Sequence, residues 1–213
     1  MLTPAAGADG PDAEGPAAGP PARVQPADRA AWRAWLIEHH AVAASVWLVT
    51  FKTAAGQPIL SYDDAVSEAL AVGWVDSKGA KLDDERTMLY FARRRAGSAW
   101  SGPNKVRVER MRAAGLMLPA GEAVIARAEE DGTWTLLDDV ERLIVPPDLA
   151  QAFEDFPGSR ASWDAFPRSA RRGILEWIVQ AKTPATRARR VHETATRAAV
   201  GERANQWTGP RHP

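Results

Sequence analysis

A change in hydrophobic periodicity near residue 100 constrains the fold of this chain more than any other feature of its sequence. Before it, short runs of β-branched and aromatic residues alternate with amphipathic segments, which predicts strands mixed with helices. After it, apolar residues recur at helical spacing throughout. The pattern predicts an α+β fold, in which a small, mostly antiparallel sheet packs with helices and is followed by a helical C-terminal part.

The first half of the chain predicts three strands and two helices. Residues 45–52 carry apolar side chains on both faces, which is typical of a central strand. Ser61 and Asp64 form a capping box that opens a helix, and Gly73 takes the left-handed position that ends it. The connections between strands are short enough for antiparallel pairing. The predicted elements are helices from Asp28 to about His40 and from Ser61 to Gly73, and strands at residues 45–52, 74–77 and 87–92.

Beyond residue 100 the sequence predicts five helices. Ser101 stands at the N-cap position of the first, and Gly115 and Gly132 stand where the first two end. Pro184 opens the last helix, because a residue in the first turn needs no backbone N–H. The helices are expected at residues 101–114, 119–131 and 148–156, with two more that begin at Ser169 and at Pro184.

Two breaks in composition predict the domain organisation. Residues 1–26 contain seven alanines, six prolines and four glycines, so they cannot bury enough surface to offset chain entropy and are expected to be disordered. They also lack the basic and apolar regions of a signal peptide. Pro146 and Pro147 form the second break and predict a hinge. We expect a tail at residues 1–26, an α+β domain at 27–145, a helical subdomain at 146–205 and a short tail at 206–213.

Composition argues against several classes of function. The chain has no cysteine, which removes disulfides, thiolate nucleophiles, iron–sulfur clusters and cysteine-bound zinc, and suits a reducing compartment. Its 27 basic and 27 acidic residues give a net charge of zero, so no overall field attracts nucleic acid or anionic lipid. No apolar run approaches the roughly 20 residues of a membrane-spanning helix. We expect a cytoplasmic protein with no membrane span, no nucleic-acid partner and no metal or other cofactor.

Charge is partitioned along the chain. Residues 93–112 hold seven basic side chains and one acidic, residues 116–167 hold three basic and eleven acidic, and residues 168–203 hold nine basic and three acidic. The simplest interpretation is an acidic middle segment that pairs with its basic neighbours within one fold. The alternative is that one basic segment stays exposed and binds an anion.

The densest polar cluster lies between a predicted strand and the helix that begins near Ser101. Arg94 and Arg95 leave the strand, and the backbone amides at the start of the following helix carry the positive end of its dipole. Guanidinium groups beside such amides suit a phosphate or carboxylate, on which Trp100 could pack. The alternative is that Ser101 and Asn104 only cap the helix while the arginines pair with the acidic segment. The residues of this predicted ligand site are Trp74, Asp76, Arg94, Arg95, Ser98, Trp100, Ser101 and Asn104.

Trp74 and Asp76 are included in the predicted ligand site because they follow Gly73 at the start of a predicted strand. Asp76 could orient Arg94 or Arg95, or act as a base if it is desolvated, so an enzyme of unknown reaction is an alternative function. The other interpretation is that Asp76 forms a buried ion pair that stabilises the fold. The sequence assigns no residue a catalytic role.

The last predicted helix offers a further alternative. Arg187, Arg190 and Arg197 fall at helical spacing and form one basic stripe, to which a partner protein or a nucleic acid could bind. Such stripes are usually solvated faces or partners of acidic surface, and nucleic-acid binding would need a larger net-basic domain with exposed aromatic residues. His39 and His40 are adjacent in sequence and therefore cannot chelate a metal together.

A series of short motifs, spread in order over residues 30–202, resembles the bacterial YdeI/OmpD-associated family, often labelled bacteriocin-protection. The resemblance rests on the number and the order of these motifs along nearly all of the predicted folded chain. They are Trp47-Leu48, residues 62–66 with Ala69-Leu70, residues 73–76, Arg94-Arg95 with Ser98, Trp100-Ser101 and Asn104, residues 115–117 with Ala120-Gly121, residues 131–134, Trp177-Ile178 with Ala181-Lys182, and Thr186-Arg187 with Arg190-Val191.

The resemblance implies an association with protection against bacteriocins and cationic antimicrobial peptides, and it brings no reaction with it. Family members commonly carry Cys-Phe where this chain has Ala71 and Val72, so a thiol there is not essential to any shared chemistry. Two family prolines are replaced here by Arg93 and Ala96, which predicts a less rigid loop. Together with the predicted ligand site, the resemblance indicates a cytoplasmic, stress- or resistance-associated binding protein that takes a small anionic ligand or a partner protein.

Overall fold

The computed structural model describes residues 21–205, which form two compact units. The first contains the described chain up to Ala69 together with residues 74–93, and the second contains residues 70–73 and the described chain from Arg94 onward. The sequence predicted a domain boundary after residue 145. The two compact units do not show whether the parts on either side of that boundary fold independently, so the boundary stays a prediction. Residues 1–20 and 206–213, which belong to the predicted tails, lie outside the described residues.

A four-stranded sheet is the frame of the first unit. Its strands are β1 (Ala22–Val24), β2 (Ser45–Phe51), β3 (Trp74–Lys81) and β4 (Arg86–Arg93). They lie in the order β1-β2-β4-β3, where β1 pairs with β2 in parallel and the other two pairings are antiparallel. The α+β prediction with a small, mostly antiparallel sheet is therefore confirmed.

The edge strand β1 is absent from the sequence prediction, which assigned residues 22–24 to the tail. A three-residue strand shows no measurable alternation, and this one is held by backbone pairing, with Val24 opposite Leu48 on β2. The first unit therefore includes part of the segment whose composition predicted disorder.

Two helices and one 3₁₀ turn complete the first unit. Both helices begin as predicted: the Asp28 carboxylate accepts a hydrogen bond from the Ala31 N–H at 2.8 Å, and the Ser61 hydroxyl accepts one from the Asp64 N–H at 3.0 Å. These side chains satisfy amides that have no partner within the helix. The elements are α1 (Arg29–His39), the 3₁₀ turn (Thr53–Ala55) and α2 (Tyr62–Ala71), whose last two residues belong to the second unit.

The core of the first unit is aromatic. Trp32 on α1 is fully buried, and its ring centroid lies 5.4 Å from that of Phe91 on β4. Its indole Nε1–H donates to the Ala65 carbonyl oxygen at 3.1 Å, so its buried polar group has an acceptor. The contact places α1 on the face of the sheet that Phe91 and its register partner Val46 share.

A buried carboxylate ties the two helices together. Glu68 on α2 is 2% exposed and accepts hydrogen bonds from Arg29 and Arg33 on α1, each at 2.6 Å. A buried carboxylate is tolerated when guanidinium donors satisfy its oxygens, which is the case here.

The second unit is helical, as predicted, and has seven helices among its described residues. They are α3 (Gly102–Ala113), α4 (Pro119–Glu130), α5 (Asp138–Glu141), α6 (Pro147–Glu154), α7 (Ser159–Ala165), α8 (Arg168–Val179) and α9 (Pro184–Ala199). Gly115 and Gly132 have φ angles of 67° and 77°, as expected of residues that end helices. The short helices α5 and α7 are absent from the sequence prediction because four and seven residues are too few to show helical periodicity.

One hydrophobic core joins the C-terminal helices. Trp163 on α7 is 1% exposed and packs against Phe153 on α6, with ring centroids 5.6 Å apart. Ile178 from α8 and Ala195 from α9 are fully buried in the same cluster. Burial of aromatic and branched side chains of this kind contributes roughly 25 cal/mol per Å² of apolar area removed from water.

A close backbone contact at Gly121 brings α4 against the residues that end α2. A Cβ atom added at Gly121 would lie 2.4 Å from the carbonyl oxygen of Ala71. The neighbouring Leu118 N–H donates to that same oxygen at 3.1 Å. Only glycine allows this approach without a backbone shift.

We predict that Gly121→Ala lowers the free energy of unfolding by about 1–3 kcal/mol, because the added methyl group must push two backbone segments apart. Gly173→Ala on α8 is the matched control, since an added Cβ there meets no atom within 4 Å. The control is expected to raise stability by about 0.5–1 kcal/mol through better helix propensity. Thermal or urea unfolding checks both values, and equal effects of the two variants would contradict the contact.

Candidate functional site

The eight residues of the predicted ligand site are divided between the two units. Trp74 and Asp76 lie on β3 of the first unit, and the other six lie in the second. Trp74 is 1% exposed and meets Trp35 edge-on at a centroid distance of 6.2 Å, as a core residue does. The Asp76 carboxylate accepts a hydrogen bond from the exposed Tyr62 hydroxyl at 2.8 Å.

The Arg94 side chain contacts other residues of the loop that it begins. Its guanidinium carbon lies 3.9 Å from the centroid of the Trp100 ring, a cation–π contact. The same guanidinium donates to the carbonyl oxygens of Ser98 and Ala99. Trp100 is 1% exposed, and its backbone N–H donates to the Thr133 carbonyl oxygen at 3.3 Å. Arg94 and Trp100 therefore hold the loop closed on itself.

The backbone amides at the start of α3 have acceptors within the chain. The Gly102 N–H lies close enough to the Glu141 carboxylate to help lower the pKa of that carboxyl, and Pro103 has no N–H. The N–H of Asn104 and that of its successor both donate to the Ser101 carbonyl oxygen at 3.1 Å. The sequence predicted that these amides receive an anion, and in the structure the Glu141 carboxylate lies beside the first of them.

A second carboxylate lies against the loop before α3. Asp131 accepts hydrogen bonds from the Thr133 hydroxyl at 2.5 Å and from the Thr133 N–H at 2.9 Å. These bonds, followed by one from the Gly97 N–H, lower the pKa of the Asp131 carboxyl. Asp131 therefore places a negative charge beside the Gly97 amide.

The space left beside this loop is small. The cleft has a volume of about 10 Å³, which is room for about one water molecule. Ser101 holds the N-cap position without a side-chain hydrogen bond, and Asn104 accepts one from Arg107 at 3.0 Å. This geometry favours the alternative in which the cluster organises the fold, and a ligand site there stays a prediction. The cleft is lined by residues that include Arg94, Arg95, Gly97, Trp100, Arg127 and Asp131.

The acidic middle segment pairs with basic neighbours on both of its sides, as the charge partition predicted. The Glu141 carboxylate accepts hydrogen bonds from Arg172 at 2.7 and 3.1 Å, and Arg172 also donates to Glu176 at 2.8 Å. Each of these pairs joins two different elements or two turns of one helix. Further pairs between the acidic segment and its flanks are Arg112–Glu122, Lys105–Asp138 and Arg187–Asp148.

The basic stripe on α9 is engaged within the second unit. Arg187 donates to Asp148 at 2.6 and 2.9 Å, and Arg197 pairs with Glu202 at 3.1 Å. Arg190 donates to the Trp177 carbonyl oxygen and lies 4.9 Å from the centroid of the Trp177 ring. This arrangement supports the interpretation of the stripe as a partner of acidic and aromatic groups in the same unit.

Two larger cavities lie on the C-terminal helices of the second unit. The first groove has a volume of about 280 Å³ and is bounded by α5, α8 and the segment before α6. The second groove has a volume of about 290 Å³ and is bounded by α6 and α9. Arg187 lines both. The first is walled mainly by Leu136, Val140, Ile144, Pro146, Pro147, Leu175, Ile178 and Val179, and the second by Ala152, Phe156, Pro184, Ala188 and Val191.

A strained residue precedes the wall of the first groove. Leu143 has a φ of 59°, in the left-handed region that leucine rarely occupies. Ile144, the next residue, lines the groove and is 46% exposed. Strain of this kind persists where the surrounding structure imposes it, and it clusters at functional sites. The sequence analysis missed this wall, although the apolar residues 143–147 stand out in an otherwise acidic segment.

Two family models match consecutive parts of the chain. Residues 142–201 match the family model described as bacteriocin-protection, YdeI or OmpD-associated. The predicted family is confirmed over this stretch. It covers the second groove entirely and the α8 wall of the first. Residues 24–124 match a different model, described as Domain of unknown function (DUF8412).

Neither the search of curated proteins nor the search of solved structures finds a match to this chain. Among residues 21–205, no helix has both the length and the apolar character needed to cross a membrane. In the same part of the chain, no group of three histidine, aspartate or glutamate side chains is arranged to hold a metal ion.

The Glu141 contact predicts a dependence of stability on pH. Hydrogen bonding from Arg172, assisted by the Gly102 N–H, lowers the pKa of the Glu141 carboxyl in the folded protein. A lowered folded pKa means that the stabilisation is complete above the unfolded value of about 4.3 and is lost as pH falls through the folded pKa. Charged hydrogen bonds contribute roughly 1.5–3 kcal/mol, and partial exposure reduces this, so Glu141→Gln should cost about 1–2 kcal/mol at pH 7.

Urea unfolding of Glu141→Gln and of the unsubstituted protein at a series of pH values measures this effect. The difference between them should shrink as the pH falls below about 4.3. Glu154→Gln is the control, because the exposed Glu154 carboxylate makes no ion pair with any residue in the described range 21–205. A pH-independent difference, or a control that behaves like Glu141→Gln, would argue against the contact.

Proposed function

We propose that this protein is a cytoplasmic binding protein that takes a cationic, amphipathic peptide into the two grooves of its helical unit. The observation that supports this proposal most strongly is the pairing of two apolar grooves of similar volume, about 280 and 290 Å³, that share Arg187. A helical peptide presents apolar side chains at intervals of three or four residues, and each groove has room for one or two such side chains.

The size and chemistry of the grooves suit this mode of binding. Pockets for whole small molecules usually measure about 300–1,000 Å³, so each groove alone is at the lower limit of that range. Two adjacent grooves with apolar walls and few polar groups suit a chain that spans both of them. Ile144 lies 46% exposed in the first groove, which leaves apolar surface that a peptide would cover.

The charges at the grooves favour a cationic partner. Three carboxylates, those of Asp139, Asp148 and Asp155, line the two grooves together with one guanidinium, that of Arg187. Arg187 is already paired with Asp148. Asp139 is paired with Arg142 at 2.6 Å, so among the described lining residues Asp155 is the carboxylate left to attract a lysine or arginine side chain.

The family description and the composition agree with this role. The matched family is described as bacteriocin-protection, and the residues that match it include most of both grooves. Capture of a cationic peptide inside the cell is a physical route to such protection that requires no catalysis. The absence of cysteine from all 213 residues suits the reducing conditions of the cytoplasm.

A small anionic ligand bound at the loop of residues 94–104 is the alternative binding function, and fewer observations support it. Asp131 lies beside the Gly97 amide and Glu141 beside the Gly102 amide, so an external anion would meet two like charges. It would also have to enter a cleft of about 10 Å³. The grooves present neither obstacle to a cationic peptide.

Titration of a labelled, cationic, amphipathic helical peptide tests the proposal, and binding is read by fluorescence anisotropy. Ile144→Gln should weaken binding about tenfold, because burial of an isoleucine side chain contributes roughly 1.5–3 kcal/mol. Val106→Gln on α3 is the matched control, since Val106 is 66% exposed and lies outside both grooves. The control should bind as the unsubstituted protein does.

A scrambled peptide of the same composition separates groove binding from charge attraction. It keeps the net charge and loses the apolar face, so it should bind at least tenfold more weakly. Equal binding of the two peptides, or equal loss in both variants, would show that the grooves are not the binding site.

A further inference from the structure

A row of cationic and aromatic residues crosses all four strands of the sheet in the first unit. The strand register places Arg23 on β1 opposite Trp47 on β2, and Trp47 opposite Tyr90 on β4. On β3, the ammonium of Lys78 lies 5.7 Å from the Trp47 ring centroid and 5.6 Å from that of Tyr90. The row therefore reads cation, aromatic, aromatic, cation, and we call it the sheet row.

The sheet row lies on the face of the sheet away from α1. Side chains alternate between the faces along a strand, and Phe91, next to Tyr90, contacts Trp32 of α1. Trp47 and Tyr90 are half-buried, with ring centroids 5.0 Å apart and an interplanar angle of 69°. The helix-facing side of the sheet has its own aromatic core, so the sheet row is a separate feature.

Among the described residues, the two cations of the sheet row have no acidic partner, and the Lys78 ammonium makes cation–π contacts with both rings of the row. Arg23 and Lys78 are exposed, and in the described part of the chain neither forms an ion pair or a side-chain hydrogen bond. Other basic residues of the same unit do: Arg86 pairs with Asp83 and Lys81 pairs with Asp84. The arginine and lysine of the row are thus available to an external anion.

We propose that the sheet row binds a short stretch of single-stranded nucleic acid. Two successive bases would pack on Trp47 and Tyr90, and backbone phosphates would meet Arg23 and Lys78. Single-strand binders combine aromatic platforms with cations in this way, and a four-stranded sheet is one of the frames that carries them. Nothing in this proposal depends on the grooves of the second unit.

The two cations come from opposite edges of the sheet, on strands about three inter-strand spacings of roughly 4.8 Å apart. The Lys78 ammonium extends back over the row and is equally close to the Trp47 and Tyr90 rings, so a phosphate of a stacked nucleotide is within its reach. Lys78 sits where the pairing of β3 with β4 shifts register, between Asp76 and Gly79, and its exposed side chain can turn aside to admit a base.

Net charge bears on the strength of this binding and not on its existence. The sequence argument against nucleic acid rests on a net charge of zero, which removes long-range attraction. A site with two phosphate contacts should bind modestly, with a slope of log affinity against log salt of about −1.4, which is roughly 0.7 per contact on a single strand.

Fluorescence anisotropy with a short labelled oligothymidylate at low salt tests the proposal on the full chain. Trp47→Leu should weaken binding about tenfold, whereas Trp47→Phe keeps an aromatic face and should bind within about threefold of the unsubstituted protein. Removing both cations, by Arg23→Ala with Lys78→Ala, should weaken binding and bring the salt slope close to zero. Thermal melting confirms that each variant is folded.

A second pair of substitutions separates the sheet row from other basic surface. Lys182→Ala with Arg189→Ala removes two exposed cations of the second unit and should leave oligothymidylate binding unchanged. Loss of binding in this control, no binding at low salt, or equal loss in Trp47→Leu and Trp47→Phe would overturn the proposal. Thymidine monophosphate that competes as well as the oligonucleotide would overturn the assignment to a strand.

Discussion

The ion pair between Glu141 and Arg172 joins the short helix α5 to the longer helix α8 in the second unit. The same carboxylate lies beside the Gly102 N–H at the start of α3, which helps to lower its pKa. A half-buried carboxylate requires hydrogen-bond donors, and the backbone N–H groups at a helix start require acceptors. The position of Glu141 beside the start of α3 therefore suits both groups. Asp131 acts in the same way on the loop before α3.

This internal use of charge determines which surfaces are open to partners. The residues that most resemble an anion site in the sequence, Arg94 and Trp100, contact each other and close their own loop. Arg187 and Arg197 on α9 likewise have acidic partners in the same unit. What is left in the second unit is the apolar surface of two grooves, with the Asp155 carboxylate at the second. In the first unit it is an aromatic row with two cations that have no acidic partner among the described residues.

Much of the fold is predictable from the sequence, because periodicity, caps and helix-ending glycines are local signals. The capping box at Ser61 and the glycine at position 132 mark helix ends correctly, and the acidic segment pairs with its flanks as its charge predicts. The strand β1 and the helix α5 escape prediction, since three and four residues carry no period. The candidate site is less predictable, because whether an arginine meets a ligand or a carbonyl of its own loop depends on tertiary contacts, as Arg94 illustrates. The left-handed Leu143 has no signal in sequence at all.

The central claim is that the chain's own carboxylates, Asp131 and Glu141, lie beside the Gly97 and Gly102 amides and disfavour an external anion there. A two-dimensional NMR titration that follows the amide resonances of Gly97 and Gly102 from neutral to acid pH tests it most directly. Both amides should shift, with midpoints below the ordinary carboxyl values, because protonation of Asp131 and Glu141 weakens the bonds they accept. Amide resonances that stay constant with pH, but move when inorganic phosphate is added at neutral pH, would contradict it.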